Sequence, residues 1–489
     1  MKNINLNNVV GIYLFSLIIL HVLFIIAPTN ALFLGTPLYS FQRYFALIGI
    51  VLLGIDLITN RYMFKEKYGY LLYGIVGSAA ISSILTISYD VKHNLFSIIW
   101  MTLTLAIIYT YSLRVENQIF HKKMYTVYKV ISVVWLVACI VSITAFLFNT
   151  GYFIQLDMHV EGAYIRQGFL EHRLFGIFMA MYTSAMFSAM LLIASVFFYI
   201  VHKKKYLLVY ATIFLIHVIL SGARSAMVSL IITLTLVVIY YFYKKKLSSF
   251  KVINRVVYLG IVAIITIGLS YSIFNYSKVA LGAIQQLSVF TNNQEPYFEL
   301  VQKMPKVKQE SKEEVPEDNA EVSSEAVLER EDASLENPSN NRISIWKDYL
   351  SLYKDIGIFG LSPYNFSKYI QDNHEDLFIV NYVKENMPDK YEKGIVYQPH
   401  NSYIYLYVTT GLLGLTLFLT YAILLLRKIF NYLYKDGGNS YINFAIVILI
   451  FTVTNMLFDT TVFFNNEATI VIFWLLLGYL VKNIKEISK

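Results

Sequence analysis

Four arginines and two histidines stand beside the ends of long apolar runs. Arg224 lies in Ser221-Gly222-Ala223-Arg224, which interrupts an apolar stretch from 206 to 243. An arginine at a bilayer centre is costly, so this reads as a tight hairpin between two helices. Arg166, His172 and Arg173 precede another apolar run, Arg342 opens a globular stretch, and His400 follows Pro399 just ahead of a helix. A guanidinium binds phosphate bidentately and keeps its charge, so arginines near headgroup level suit a lipid-linked pyrophosphate. Snorkelling to headgroups is the plainer use of the same residues. A neutral imidazole can take a proton from a hydroxyl near pH 7. Asn401 after it could orient the ring or a sugar, and Asn401 or Ser402 could cap the helix.

Other candidates carry less. His374-Glu375-Asp376 after Asp372 has the composition of a metal cluster, but its members are sequence neighbours and suit a solvated loop. Asp56 and Asp459 lie in or near apolar runs, as in ion-coupled transporters. His21 and His217 suit packing between helices. The single cysteine, Cys139, excludes an intrachain disulfide and a thiolate metal site. Phosphate-loop, HExxH and dinucleotide fingerprints are missing from the sequence. The 40 tyrosines fit interfacial belts and sugar-stacking surfaces equally well and decide nothing.

The elements that must position these residues are apolar helices. Of 489 residues, 57% are hydrophobic and 15% charged, too few charges to cover a soluble surface. Twelve runs are near the bilayer-spanning length of about 20 residues. They lie at 9–27, 41–59, 69–89, 94–113, 125–148, 174–200, 206–221, 225–243, 255–275, 402–426, 441–461 and 467–481. The expected fold is therefore an all-α polytopic membrane protein with about twelve transmembrane helices and one large external loop between the ninth and tenth. Alternate short loops, with the termini, hold twenty-one Lys and Arg against four in the other phase. That bias puts both termini in the cytoplasm. The net charge of +8 then reflects cytoplasmic loops, not nucleic-acid binding. The first run reads as a retained helix, not a cleaved signal.

Three parts follow: 1–275 with nine helices, the external loop 276–401, and 402–489 with three more helices. Within the loop, 309–340 is acidic and sparse in apolar residues, reading as a disordered tether. The stretch 341–401 reads as its folded, catalytic part. Residues 342–354 suit a short amphipathic helix, and Ile356–Phe366 is turn-rich.

The stretch from Arg342 to Leu425 resembles the motif region of the O-antigen ligase/polymerase superfamily. It runs Arg342-Ile343-Ser344-Ile345-Trp346, then Ile356-Gly357-Ile358-Phe359-Gly360-Leu361-Ser362-Pro363-Tyr364-Asn365-Phe366, then His400-Asn401-Ser402-Tyr403-Ile404 and Gly411-Leu412-Leu413-Gly414. The small-residue hairpin with Arg224 is similar to one the family carries upstream of its large loop. Gly357 stands where the family often has proline, Ser362 where it often has glycine, and Thr409 where an acid is common.

The resemblance implies a glycosyltransferase needing no metal or other cofactor. Its donor would be an undecaprenyl-pyrophosphate-linked oligosaccharide. Arg224 and Arg342, with Arg166, would hold the pyrophosphate, and His400 would act as general base. Asn401, His172 and Trp346 are further substrate-binding candidates. The helices would form a cavity for the lipid tail, open to the outer leaflet. The bilayer, a flippase and a chain-length regulator are the expected partners, and nucleic acid is not. The activity would be polymerisation of a bacterial surface polysaccharide (a capsule, exopolysaccharide, O-antigen-like or wall glycan). The alternative is ligation of the finished glycan to another acceptor. A transporter or flippase is the alternative of another class.

Overall fold

The computed structural model describes residues 6–59, 68–155, 164–170, 172–246, 252–287, 341–435 and 437–487. The acidic stretch 309–340 lies outside them.

Eight described helices are long and apolar enough to cross a membrane, and four shorter apolar helices accompany them. At 1.5 Å per residue, the 20 residues of Leu6–Ile25 reach about the thickness of a bilayer's hydrocarbon core. Helices suit these sequences because hydrocarbon offers backbone groups no partner outside the segment. The chain is an all-α polytopic membrane protein apart from one small sheet. Lys92–Arg114 and Met181–His202 are 72% and 67% buried, so they form the centre. Val256–Gln285 is only 11% buried, so its apolar side chains face outward, as lipid contact requires.

An ion pair ties two helices together. Arg114 Nη1 donates to Asp56 Oδ1 at 2.6 Å, with both side chains essentially unexposed. The Asp56 carboxylate, read from sequence as a possible coupling site, thus has a structural partner 58 positions away.

The sheet was not foreseen. The sixth apolar run, expected as helix from 174, is helical only from Met181. Ahead of it, three antiparallel strands pair in the order β1 (Gly151–Gln155), β2 (Tyr164–Leu170), β3 (Arg173–Gly176). Gly168 and Gly176 take positive φ at the ladder's irregular point, where Thr150 O and Ser142 Oγ leave no room for a Cβ. Phe169 and Leu174 of the sheet pack with Phe146 and Leu220, seating it on two helix ends.

The stretch after Asn341 is folded. Short helices Arg342–Ser351, Tyr353–Ile356, Phe366–Asn373, Phe378–Asn386 and Pro388–Glu392 surround Ile345, Tyr349, Ile370, Ile379 and Val380, all fully buried. This unit docks where the helix Ser402–Lys435 breaks. Gly411 there has φ 66° and ψ −168°, a conformation nearly exclusive to glycine. The break frees backbone groups, and the turn-rich loop satisfies them. Leu412 and Leu413 N–H donate to Gly357 and Ile358 carbonyls at 3.2 and 3.0 Å. Leu361 and Ser362 N–H donate to Val408 and Thr409 carbonyls at 2.8 and 3.1 Å. Ser78 and Ser82 hydroxyls, from the helix Gly69–Leu85, donate to the carbonyls of Thr410 and Thr409. Gly360 lies so close to this break that a Cβ on it would sit 2.5 Å from Gly411 N.

Candidate active site

His400 ends the folded loop with φ 46°, directly before the helix Ser402–Lys435. Two sets of contacts fix it. On the helix side, Asn401 Oδ1 accepts from the N–H groups of Tyr403 and Ile404 at 2.9 and 3.1 Å, which is an N-cap. Its Nδ2 donates to Leu457 O at 3.1 Å. Ser402 Oγ donates to Asp459 O and accepts from Thr461 N–H. The segment 457–461 is therefore pinned against the helix start. On the loop side, Trp346 Nε1 donates to Pro399 O at 2.9 Å and Tyr349 OH to Tyr397 O at 2.6 Å. The helix that Arg342 opens thus carries the segment leading into His400.

Within this frame, Asp459 Oδ1 lies 3.9 Å from His400 Nδ1, an ion-pair separation too long for a hydrogen bond. The two side chains are about a third exposed. The Tyr397 ring lies 5.4 Å from the imidazole. Burial, then the nearby Tyr382 and Tyr182 hydroxyls, push the Tyr397 phenol up, while Arg342 opposes them. Arg342, Trp346, Tyr397, His400, Asn401 and Asp459 therefore form one cluster. Asn401 spends its amide on capping and bracing.

The second group surrounds the hairpin. Gly222 takes φ 63° and closes the helix Tyr206–Ser221, while Ser221 Oγ accepts from Ala223 N–H. Arg224 begins the next helix and is exposed. The stem of Arg173, a buried β3 residue, lies 3.6 Å from where a Cβ on Gly222 would stand. Lys278, on the helix Val252–Leu287, lies within electrostatic reach of Arg224. Arg166, on β2, is exposed with its guanidinium 5.6 Å from the Phe175 ring centre, a cation–π distance. His172 occupies the β2–β3 turn with φ 56°.

Both groups lie at one end of the bundle. Met181–His202 and Tyr206–Ser221 are joined by Lys203-Lys204-Lys205 and pack side by side, so they run antiparallel. The start of the first then shares an end with Ser221 and Arg224. Tyr182, at that start, reaches Tyr397 electrostatically, and Tyr397 contacts the His400 ring. The large apolar cavity, of about 570 Å³, is lined by Lys122, Lys123 and Ile131 and lies toward the opposite end.

Three members escape sequence reasoning. Asp459 stands 59 positions from His400 and was read only as an intramembrane carboxylate. Lys278 lies past the apolar run that ends at 275, on a helix that continues to Leu287. Glu467 drew no notice, and it ends the loop that Asp459 occupies. Burial and the Asp459 charge push its carboxyl up to about 7, with the nearby Thr469 hydroxyl opposing.

Among the described residues, no three His, Cys, Asp or Glu side chains gather as metal ligands. His374 instead faces Asp355 at 3.4 Å, and Asp355 also accepts from Tyr369 OH. Asp372 pairs with Lys368 at 2.7 Å.

A multi-pass membrane protein with an imidazole, a carboxylate and clustered guanidinium groups at one end has the parts for transferring a group from an anionic leaving group to a hydroxyl. The family model described as O-antigen ligase matches residues 209–419. That stretch is a domain of the O-antigen ligase/polymerase superfamily, glycosyltransferase-like enzymes acting on lipid-linked glycans. It contains Arg224, Arg342, Trp346, His400 and Asn401, whereas Arg166, His172, Asp459 and Glu467 lie outside it. No curated protein matches the chain.

Proposed function

We propose that the protein is a polymerase of a bacterial surface polysaccharide, acting at the outer face of the plasma membrane with both termini cytoplasmic. The donor is a glycan on undecaprenyl pyrophosphate, and the acceptor is a hydroxyl of the next lipid-linked repeat. The observation that carries the reading is the His400 cluster, held by Trp346 and the Asn401 cap, with Asp459 facing Nδ1.

Chemically, Asp459 favours a proton on Nδ1 and leaves Nε2 to accept. As Nε2 takes the acceptor hydroxyl's proton, that oxygen bonds to the anomeric carbon, and the bond from that carbon to the pyrophosphate oxygen breaks. The leaving pyrophosphate stays on its lipid. Arg224 and Arg342, with Arg166 and Lys278 nearby, stabilise its charge; such electrostatic groups contribute on the order of 3 kcal/mol each. His172 and Trp346 border the substrate. A flippase supplying the donor and a chain-length regulator fit this role as partners. The reaction requires no metal in this reading.

A ligase acting on a different acceptor is the second reading, favoured by the description of the matching family. A transporter loses its main support, because Asp56 is paired with Arg114 and Asp459 faces His400.

The test is replacement of His400, Arg224 and Arg342 by Ala, singly, in the strain that carries the gene, with membrane expression verified. Single repeats accumulating on the carrier without long chains support polymerisation. Long chains stranded on the carrier identify a ligase. Normal polymer in all three variants refutes the assignment.

A further inference from the structure

A second polar cavity, of about 430 Å³, lies behind Asp459. Four separate parts of the chain wall it. They are the end of the helix Leu6–Ile25 with Asn30, the segment around Phe41 and Gln42, the start of Met181–His202, and Asn466-Glu467-Ala468. Sequence reasoning took His21 as a packing residue, and none of these groups lies in the matched domain.

The lining is built, not incidental. His21 Nε2 and Asn466 Oδ1 are 3.0 Å apart. Gln42 Nε2 donates to Asn466 O at 3.5 Å. Asn30 is 7% exposed; its Nδ2 donates to Phe24 O at 3.1 Å, and its Oδ1 has no hydrogen-bond partner. Asn466 Nδ2 is likewise buried and unpartnered. Leaving such groups unpaired costs about 1–3 kcal/mol each, so they call for a hydrogen-bonding partner, which a water or a ligand hydroxyl supplies. Phe24, Tyr39 and Phe41 supply apolar faces beside them.

The chemistry of the lining selects the ligand. It holds two side-chain amides with free capacity, an imidazole, a carboxyl, the Thr183 hydroxyl and three aromatic rings, and no lysine or arginine. That disfavours a phosphate and fits an uncharged polyhydroxyl ring, whose hydroxyls need donors and acceptors and whose C–H faces need aromatic surface. Glu467, which keeps its proton near neutral pH, can donate to a hydroxyl as well as accept.

Position selects the role. Glu467 lies within electrostatic reach of Asp459, and Asp459 faces His400. Thr183 follows Tyr182, which reaches Tyr397 beside the same imidazole. The clustered cations of Arg224, Arg173 and Lys278 belong to other elements.

We propose that the cavity bounded by His21, Asn30, Gln42, Thr183, Asn466 and Glu467 is the subsite for an uncharged sugar of the acceptor glycan. It presents that sugar's hydroxyl to His400. This rests on the transferase reading above and adds to it where the acceptor sits.

The experiment titrates purified protein in detergent with lipid-linked glycan extracted from the same membranes, following chain extension. Thr183→Val and Glu467→Gln alter hydrogen bonding at nearly constant shape, and Thr183→Phe fills the cavity. Each is expected to raise KM about tenfold with kcat within about threefold of wild type and, with melts taken at acid pH where Glu467 is protonated in folded and unfolded states alike, an unchanged melting temperature. A structural defect would instead lower kcat and the melting temperature together and would overturn the proposal. So would wild-type KM in all three variants while His400→Ala is inactive, an outcome that leaves the transferase reading standing. Activity retained in His400→Ala brings down that reading itself.

Discussion

Replacement of Gly411 by alanine should cost the protein both stability and turnover. Two terms can be worked from the structure. The first is conformational: φ 66° with ψ −168° is a region where a residue with a Cβ pays about 1–3 kcal/mol. The second is steric. An alanine Cβ would stand 2.2 Å from Ile358 O and 2.5 Å from Phe359 N, both backbone atoms that no rotamer change can move. The loop must retreat by about 1 Å, weakening the Leu412 and Leu413 hydrogen bonds at about 0.5–1.5 kcal/mol each. Together these give a destabilisation of about 2–6 kcal/mol. Because the same loop follows the Trp346 helix and the same chain runs back to His400, a shift of about 1 Å should also slow transfer by on the order of 100-fold. Gly77→Ala is the control, since nothing lies within 4 Å of its added Cβ, and it should gain about 0.5–1 kcal/mol. Thermal melts in detergent and chain extension in membranes read the two effects. Equal melting temperatures for Gly411→Ala and wild type, with full activity, would refute the docking argument.

Three further outcomes are expected. Asp56→Asn should destabilise by about 3–5 kcal/mol by stranding the Arg114 charge, while Asp56→Leu combined with Arg114→Met should recover most of the loss in a melt. Asn401→Ala removes the cap and the brace to Leu457, so it should cost about 1 kcal/mol and reduce kcat more than KM; unchanged kinetics would deny the brace a role. Glu467, with an ordinary value of 4.5 raised to about 7, favours the folded state fully below pH 4.5 and loses that advantage as pH rises through 7. The loss is about 3 kcal/mol at about 1.4 kcal/mol per pH unit, and melts of Glu467→Gln should lack the part of the pH dependence that wild type shows there. His21, Asp459 and His400 are the other titratable groups nearby, and the substitution leaves them in place.

The sequence was most legible where one local rule decides. Each of the twelve apolar runs contains a described helix, eight of them long and apolar enough to cross a membrane, because hydrocarbon leaves a spanning segment little alternative. The Ser221–Arg224 break and the amphipathic stretch after Asn341 read correctly for the same local reason. The sheet at 151–176 did not, since Arg173-Leu174-Phe175-Gly176 is apolar enough to pass for the start of the following helix. Only its pairing with Tyr164–Leu170 makes it a strand. Asp56 misled because its partner, Arg114, looks like an ordinary loop-end cation until the fold buries it. The need for glycine at 360 and 411 is tertiary: Gly360 closes on the backbone of Thr409, Thr410 and Gly411, and Gly411 on that of Ile358 and Phe359.

The arrangement around His400 suggests why a family domain covering 209–419 is not a complete site by itself. The domain brings the imidazole, the two arginines and the tryptophan. The carboxylate that faces the imidazole comes from the next loop, and the cavity behind it from the first two apolar helices, the start of Met181–His202 and the approach to the last helix. In the proposed reaction the leaving pyrophosphate is common to every transfer, and the two arginines proposed to carry most of its charge, Arg224 and Arg342, lie in the shared segment, with Arg166 outside it. An acceptor differs from one glycan to the next, and the residues that would read it lie outside that segment. If this division holds, exchanging the matched domain between two such enzymes should leave acceptor preference with the flanking helices. A chimera whose acceptor preference followed the 209–419 segment would show that the cavity behind Asp459 plays no part in that choice.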